Sequence, residues 1–73
     1  MQRAVEAILV GIEPELSVHD FRIARGAKEQ KLVFDLAVPY DLSDRRQEYK
    51  QRLEEELAKQ GLHYTTVIRF DRK

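Results

Sequence analysis

One histidine and two aspartates, His19, Asp35 and Asp71, are the side chains of this sequence best suited to chemistry. Asp35 interrupts the apolar alternation of QKLVFDLAVPY, residues 30–40, which has the period of a β-strand. A turn at residues 26–29 would place His19 opposite residue 35 or 36, and a parallel last strand would carry Asp71 to the same end of the sheet. One imidazole and two carboxylates suit a divalent cation such as Zn²⁺, Mn²⁺ or Fe²⁺. The placement therefore predicts a candidate metal site.

The same three side chains also have a purely structural interpretation. His19 would form an ordinary hydrogen bond, and each aspartate would pair with a basic neighbour. The arginines available for such pairs are Arg22, Arg69 and Arg72. The spacing is not a metal motif in itself, so the residues alone leave both interpretations open.

The elements that would position these residues follow the order α-β-β-α-β. The predicted segments are helix 1–12, strand 17–25, strand 30–40, helix 44–60 and strand 63–71. A strand–helix–strand crossover favours parallel pairing of the last two strands and places both helices on one face. The predicted fold is an α+β two-layer sandwich with a three-stranded mixed sheet.

Local signals refine this prediction at three points. In the first strand, His19 is expected on one face with Phe21 and Ile23. Asp41 or Ser43 is expected to cap the second helix at its start. The glycine at position 61 is expected just past the end of that helix, where a left-handed backbone is common.

Composition excludes several classes of function. The 73 residues have 13 basic and 13 acidic side chains, a balance that argues against a nucleic-acid partner. The absence of cysteine excludes disulfides and thiolate metal sites. The longest apolar run, Ala7–Val10, is far too short to span a membrane. Neither a Ser-His-Asp constellation nor a glycine-rich phosphate loop is present, so we predict no catalytic residues and no enzymatic activity.

The sheet face away from the helices carries more apolar surface than a solvent-facing sheet needs. Val33, Ala37 and Val67 lie there beside Arg69. We therefore predict that this face is a partner surface, and a partner would also stabilise a domain too small to bury a large core.

The sequence resembles the C-terminal cytosolic domain of cation diffusion facilitator transporters over nearly its whole length. The resemblance is carried by VHDFRI at 18–23, LVFDLAVPYDLS at 32–43 and TVIRFDR at 66–72, separated by a polar hairpin and a charged helix. Membership would imply a ferredoxin-type domain that forms a homodimer at the cytoplasmic face of the cell membrane and is cut from a longer transporter. The family exports divalent cations, and many members bind metal between the two cytosolic domains.

The resemblance also implies a ligand set. The family's histidine in the first strand matches His19, its ligand late in the second strand matches Asp35, and a residue early in the second helix matches Glu48. A frequent His-x-Asp pair in the last strand falls on Arg69 and Asp71. Arg69 cannot ligate a cation, so the expectation is one site of modest affinity or none, with Arg69 bridging to an aspartate instead.

The function expected from these observations is dimerisation and metal sensing for a zinc, manganese or iron efflux transporter, without transport chemistry of its own. Its partners would be a second copy and the membrane domain of the parent transporter. The alternative is a free-standing ferredoxin-like module that binds a small ligand or a protein partner.

Overall fold

A computed structural model describes residues 1–72 of the chain; Lys73 lies outside the described residues. The elements are α1 (Gln2–Ile12), β1 (Ser17–Arg25), β2 (Gln30–Val38), a short 3₁₀-helix (Tyr40–Arg45), α2 (Arg46–Lys59) and β3 (Thr65–Arg72). The predicted order α-β-β-α-β is confirmed, with boundaries that differ by one or two residues for most elements. Neither α-helix is long and apolar enough to cross a membrane.

The three strands form one mixed sheet in the order β1-β2-β3. β1 and β2 are antiparallel across a turn closed by the Gly26 N–H, which donates to the Glu29 carbonyl over 2.8 Å. β2 and β3 are parallel, because the chain returns through α2 before it enters the last strand. This topology confirms the predicted α+β fold class.

The core lies between one face of the sheet and the two helices. Alternate β2 residues face it, as their period predicts, and they meet a narrow apolar stripe on α2 and a shorter one on α1. The fully buried side chains of this core are Val5, Leu9, Leu32, Phe34, Leu36, Tyr49, Leu53 and Leu57. Since both helices contribute to one cluster with β2, the prediction of a two-layer arrangement is confirmed.

A buried polar link joins α2 to β3. Thr66 is buried, and its hydroxyl donates to Glu54 Oε2 over 2.8 Å. The Thr66 backbone N–H donates to the same oxygen over 3.3 Å. Both donors of Thr66 therefore find a charged acceptor, which removes the cost of burying them.

A bulge in β1 changes the direction in which His19 points. Arg22 pairs with Val33, but His19 pairs with Asp35, so two residues of β1 lie opposite Phe34 alone. Asp20 occupies the left-handed backbone region with φ 52°, a conformation that aspartate tolerates better than most residues. The prediction that His19 shares a face with Phe21 and Ile23 is therefore wrong. Phe21 stays on the core side, where its ring stacks on Phe34 with centroids 6.0 Å apart, while His19 lies on the opposite face.

The end of α2 agrees with its predicted capping residue, whereas the start of α2 does not. Neither Asp41 nor Ser43 caps the helix with its side chain, because both belong to the 3₁₀-helix that precedes α2. At the other end, Gly61 has φ 77° and its N–H donates to the Ala58 carbonyl, as predicted for the position after a helix. The Leu62 N–H donates to the Leu57 carbonyl over 2.9 Å, which completes a Schellman motif.

Candidate metal and dimer surface

The candidate site lies on the sheet face that no helix covers, called the open face below. Every residue on it alternates along its strand with a core-facing neighbour. The open face consists of Ser17, His19, Arg22 and Ala24 from β1; Lys31, Val33, Asp35 and Ala37 from β2; and Thr65, Val67, Arg69 and Asp71 from β3.

A row of three complementary side chains crosses the middle of the open face. His19 is the direct partner of Asp35 in the antiparallel ladder, and Asp35 is the direct partner of Arg69 in the parallel ladder. Directly paired residues have Cβ atoms about 4.5–5.5 Å apart, so adjacent members of the row are within reach of each other. His19 and Arg69 are exposed, and Asp35 is half-buried between them. The predicted proximity of His19 and Asp35 is confirmed.

The β1 bulge creates this row. If the pairing of Arg22 with Val33 continued without a bulge, position 19 would fall opposite Leu36, on the core side of the sheet. The extra residue moves His19 by one position in register and therefore to the other face. The bulge is the structural reason that an imidazole and a carboxylate meet on the open face.

Asp71 shares the open face but lies outside the row. Its direct partner is Ala37, so it stands two residues further along the strands than Arg69. Within residues 1–72, no group of three or more histidine, aspartate or glutamate side chains is close enough together to hold a metal ion. One chain therefore brings together His19 and Asp35, with Asp71 on the same face as a more distant third carboxylate.

Of the structural contacts predicted for the three side chains, the hydrogen bond of His19 is present within residues 1–72, whereas the ion pairs of the aspartates are not. His19 Nε2 lies 3.2 Å from Ser17 Oγ, within hydrogen-bond distance, so the expected ordinary hydrogen bond exists. Lys59 and Glu56 form an ion pair at 3.2 Å on α2, but no ion pair within residues 1–72 joins Asp35 or Asp71 to an arginine. Within residues 1–72, the predicted ion pairs of Asp35 and Asp71 with Arg22, Arg69 or Arg72 are therefore absent.

The residues predicted for a dimer surface all lie on the open face. Val33 and Val67 are direct cross-strand partners, and Val67 is 45% exposed. Ala37 is buried despite facing away from the helices, and Arg69 is exposed beside Asp35. The surface therefore combines one apolar cross-strand pair with a row of polar and charged side chains across its middle.

Glu48 is not brought together with the other predicted ligands. It lies exposed in the first turn of α2, in the helical layer on the opposite side of the sheet from His19 and Asp35. Within one chain it contributes nothing to the row on the open face.

Sequence reasoning missed a second feature, a cleft of about 330 Å³ beyond the carboxyl ends of β2 and β3. Its polar and aromatic lining comprises Tyr40, Ser43, Arg46, Phe70, Asp71 and Arg72. Arg46 and Arg72 lie on different elements, and only the crossover through α2 brings them together. No local sequence signal marks this cleft.

No protein-family model matches this chain, and neither curated proteins nor solved structures gave a match.

Proposed function

We propose that this domain is the cytosolic dimerisation and metal-sensing domain of a divalent-cation efflux transporter, which regulates transport and carries no ions itself. The observation that supports it best is the direct pairing of His19 with Asp35 on an uncovered, partly apolar sheet face. The resemblance of residues 18–23, 32–43 and 66–72 to the cytosolic domain of cation diffusion facilitators points the same way.

One chain supplies too few metal ligands, so the proposed site requires a second copy. His19 and Asp35 supply one imidazole and one carboxylate, whereas a structural zinc site takes four ligands. Two copies related by a two-fold axis would supply two of each, because such an interface repeats the same surface on both sides. Arg69 has no ion-pair partner within residues 1–72, so its guanidinium is available to a carboxylate of the second copy.

Regulation would follow from linkage between metal binding and dimer geometry. A cation held between two copies binds the closed dimer better than an open one and therefore shifts the population toward the closed form. Each tenfold difference in affinity between the two forms shifts the equilibrium by about 1.4 kcal/mol. This shift toward the closed dimer would change the relative position of the attached membrane helices.

Removal of either paired ligand is expected to abolish metal sensing. His19→Ala and Asp35→Ala should each weaken zinc and manganese binding at least about tenfold, or about 1.4 kcal/mol, because each removes one of the two donors that a chain supplies. Asp71→Ala should have a smaller effect, since Asp71 lies outside the row. Isothermal titration calorimetry measures the affinity, and small-angle X-ray scattering with and without metal follows the shape of the dimer.

His63→Ala is the matched control for this titration. His63 is the other histidine of the chain, exposed between α2 and β3 and not on the open face. Its removal should leave affinity and shape unchanged. If His19→Ala and Asp35→Ala also leave both unchanged, metal sensing is disproved and only dimerisation survives.

Dimerisation through the open face is tested separately at Val67. Val67→Asp should weaken self-association at least about tenfold, because an interface would have to bury an unpaired carboxylate. Val10→Asp is a close control, since Val10 is 44% exposed on α1 against 45% for Val67. Sedimentation velocity over a concentration series measures both. Equal effects of the two substitutions would argue against the open face as the interface.

The alternative function is a free-standing module that binds a small ligand or a protein. The cleft beside Arg46 and Arg72 is the observation that favours it. The parent reading frame discriminates between the two proposals, because a transporter requires several membrane-spanning helices upstream of residue 1. A frame without such helices, together with unchanged metal binding in His19→Ala, would support the module.

A further inference from the structure

The cleft beyond the carboxyl ends of β2 and β3 has the position of a ligand site. In open α/β sheets, ligands bind in the crevice outside the carboxyl ends of the strands. The cleft lies at the same end of the one parallel pair in this mixed sheet. Here the 3₁₀-helix follows β2 directly and forms one wall, while the end of β3 forms the other. The volume of about 330 Å³ is at the small end of the range for ligand pockets.

Two arginines line this cleft, and each is held against an aromatic ring. The Arg46 guanidinium carbon lies 5.8 Å from the centre of the Phe70 ring, and that of Arg72 lies 5.4 Å from the centre of the Tyr40 ring. Arg46 Nε also donates to the Ser43 carbonyl over 2.7 Å. These contacts orient both side chains before any ligand arrives, which lowers the entropic cost of binding.

Both guanidinium groups keep donors free. Neither Arg46 nor Arg72 forms an ion pair in residues 1–72, although the chain contains as many acidic as basic residues. The hydrogen bond from Arg46 uses one of its five N–H donors, and the contacts with the rings use none. Asp71 also lines the cleft and opposes an anion, so the lining carries two positive charges against one negative.

We infer that this cleft binds a small phosphorylated ligand through the paired forks of Arg46 and Arg72, with the Ser43 hydroxyl as a further donor. Guanidinium forks match phosphate oxygens in bidentate geometry, and the size of the cleft suits a phosphate or pyrophosphate group with little attached to it. This inference does not rest on the proposed metal-sensing function, because Arg46, Arg72 and Ser43 take no part in the His19–Asp35 row.

Inorganic phosphate and pyrophosphate are suitable probes on the full 73-residue chain. Backbone amide shifts in NMR titrations at constant ionic strength should move around residues 40–46 and 70–72, with pyrophosphate bound more tightly than phosphate. Arg46→Gln and Arg72→Gln should each weaken pyrophosphate binding about tenfold or more. Arg46→Lys should bind with intermediate affinity, since lysine keeps the charge but loses the fork.

Two further variants distinguish specific binding in the cleft from non-specific electrostatic attraction of the anion. Arg52→Gln removes an exposed arginine of α2 that does not line the cleft, and it should leave affinity unchanged. Asp71→Asn removes the opposing charge and should strengthen pyrophosphate binding several-fold. Amide shifts in the unbound variants show whether the fold is intact, so a loss of binding can be assigned to the cleft.

The inference is overturned if neither probe binds at millimolar concentration, or if Arg52→Gln weakens binding as much as Arg46→Gln. It is also overturned if only vesicles containing anionic phospholipid bind, because the cleft would then not recognise a small ligand. None of these results affects the metal titrations of His19→Ala and Asp35→Ala, so the two proposals fail independently.

Discussion

Leu53→Ala is expected to destabilise the domain by about 2–5 kcal/mol, the usual cost of truncating a buried leucine. Leu53 is fully buried at the middle of the α2 stripe, within the cluster that joins both helices to β2. A chain of this length has a total stability of roughly 4–11 kcal/mol at typical values per residue. The substitution would therefore remove a large share of the total stability.

Urea denaturation followed by circular dichroism at 222 nm measures this loss, with the midpoint falling while the slope stays constant. Gln51→Ala is the control, because Gln51 is exposed on the same helix two residues earlier. It should change stability by less than about 0.5 kcal/mol. A cost below about 1 kcal/mol for Leu53→Ala would contradict the central position of α2 in the core.

Tyr49→Phe is expected to stabilise the domain, by about 1–3 kcal/mol if the hydroxyl carries the usual cost of an unpaired buried polar group. Tyr49 is 1% exposed, and its hydroxyl has no hydrogen-bond partner among residues 1–72. Phenylalanine keeps the ring in the core and removes only that oxygen. The gain should be measurable as a higher urea midpoint, whereas Tyr40→Phe, at a tyrosine that is 71% exposed, should leave it unchanged.

Tyr49 is also expected to make the stability of the domain depend on pH. Burial raises the pKa of the Tyr49 hydroxyl, and the nearby negative charge of Glu13 raises it further. The unfolded chain then loses this proton at about pH 10, while the folded chain still holds it. Stability should therefore fall as the pH rises above about 10, until the folded group also ionises. Tyr49→Phe should lack this part of the fall, and parallel curves for the two proteins would contradict the raised pKa.

The two proposed sites, both on one small sheet, would bind ligands of opposite charge. The open face presents His19 and Asp35, donors for a cation, whereas the cleft presents two guanidinium groups, donors for an anion. Asp71 is the only residue that both proposals name, as a distant carboxylate on the open face and as the opposing charge in the cleft. Asp71→Asn should therefore weaken metal binding slightly and strengthen pyrophosphate binding, a combination that neither proposal predicts alone.

Local periodicity was sufficient to predict most of the fold. The alternation of residues 30–38 determined β2, and the spacing of Tyr49, Leu53 and Leu57 determined α2, because burial of one face imposes a fixed repeat on each type of element. Gly61 marked the end of α2, since few other residues adopt its left-handed backbone at low cost. The order of these elements then restricted the sheet to a mixed topology with both helices on one side.

Tertiary structure alone decided the direction of His19 and the existence of the cleft. The β1 bulge exists only in the pairing of β1 with β2, beside the contact of Phe21 with Phe34, and so involves residues outside β1. A shift of one position in register reverses the face on which a side chain lies, so no reading of residues 17–25 alone could have placed His19 correctly. The arginines of the cleft meet only because the crossover through α2 returns the chain beside β2. Thus the residues alone predicted an imidazole near a carboxylate, whereas the bulge in the pairing of β1 with β2 determined that both lie on the same face of the sheet.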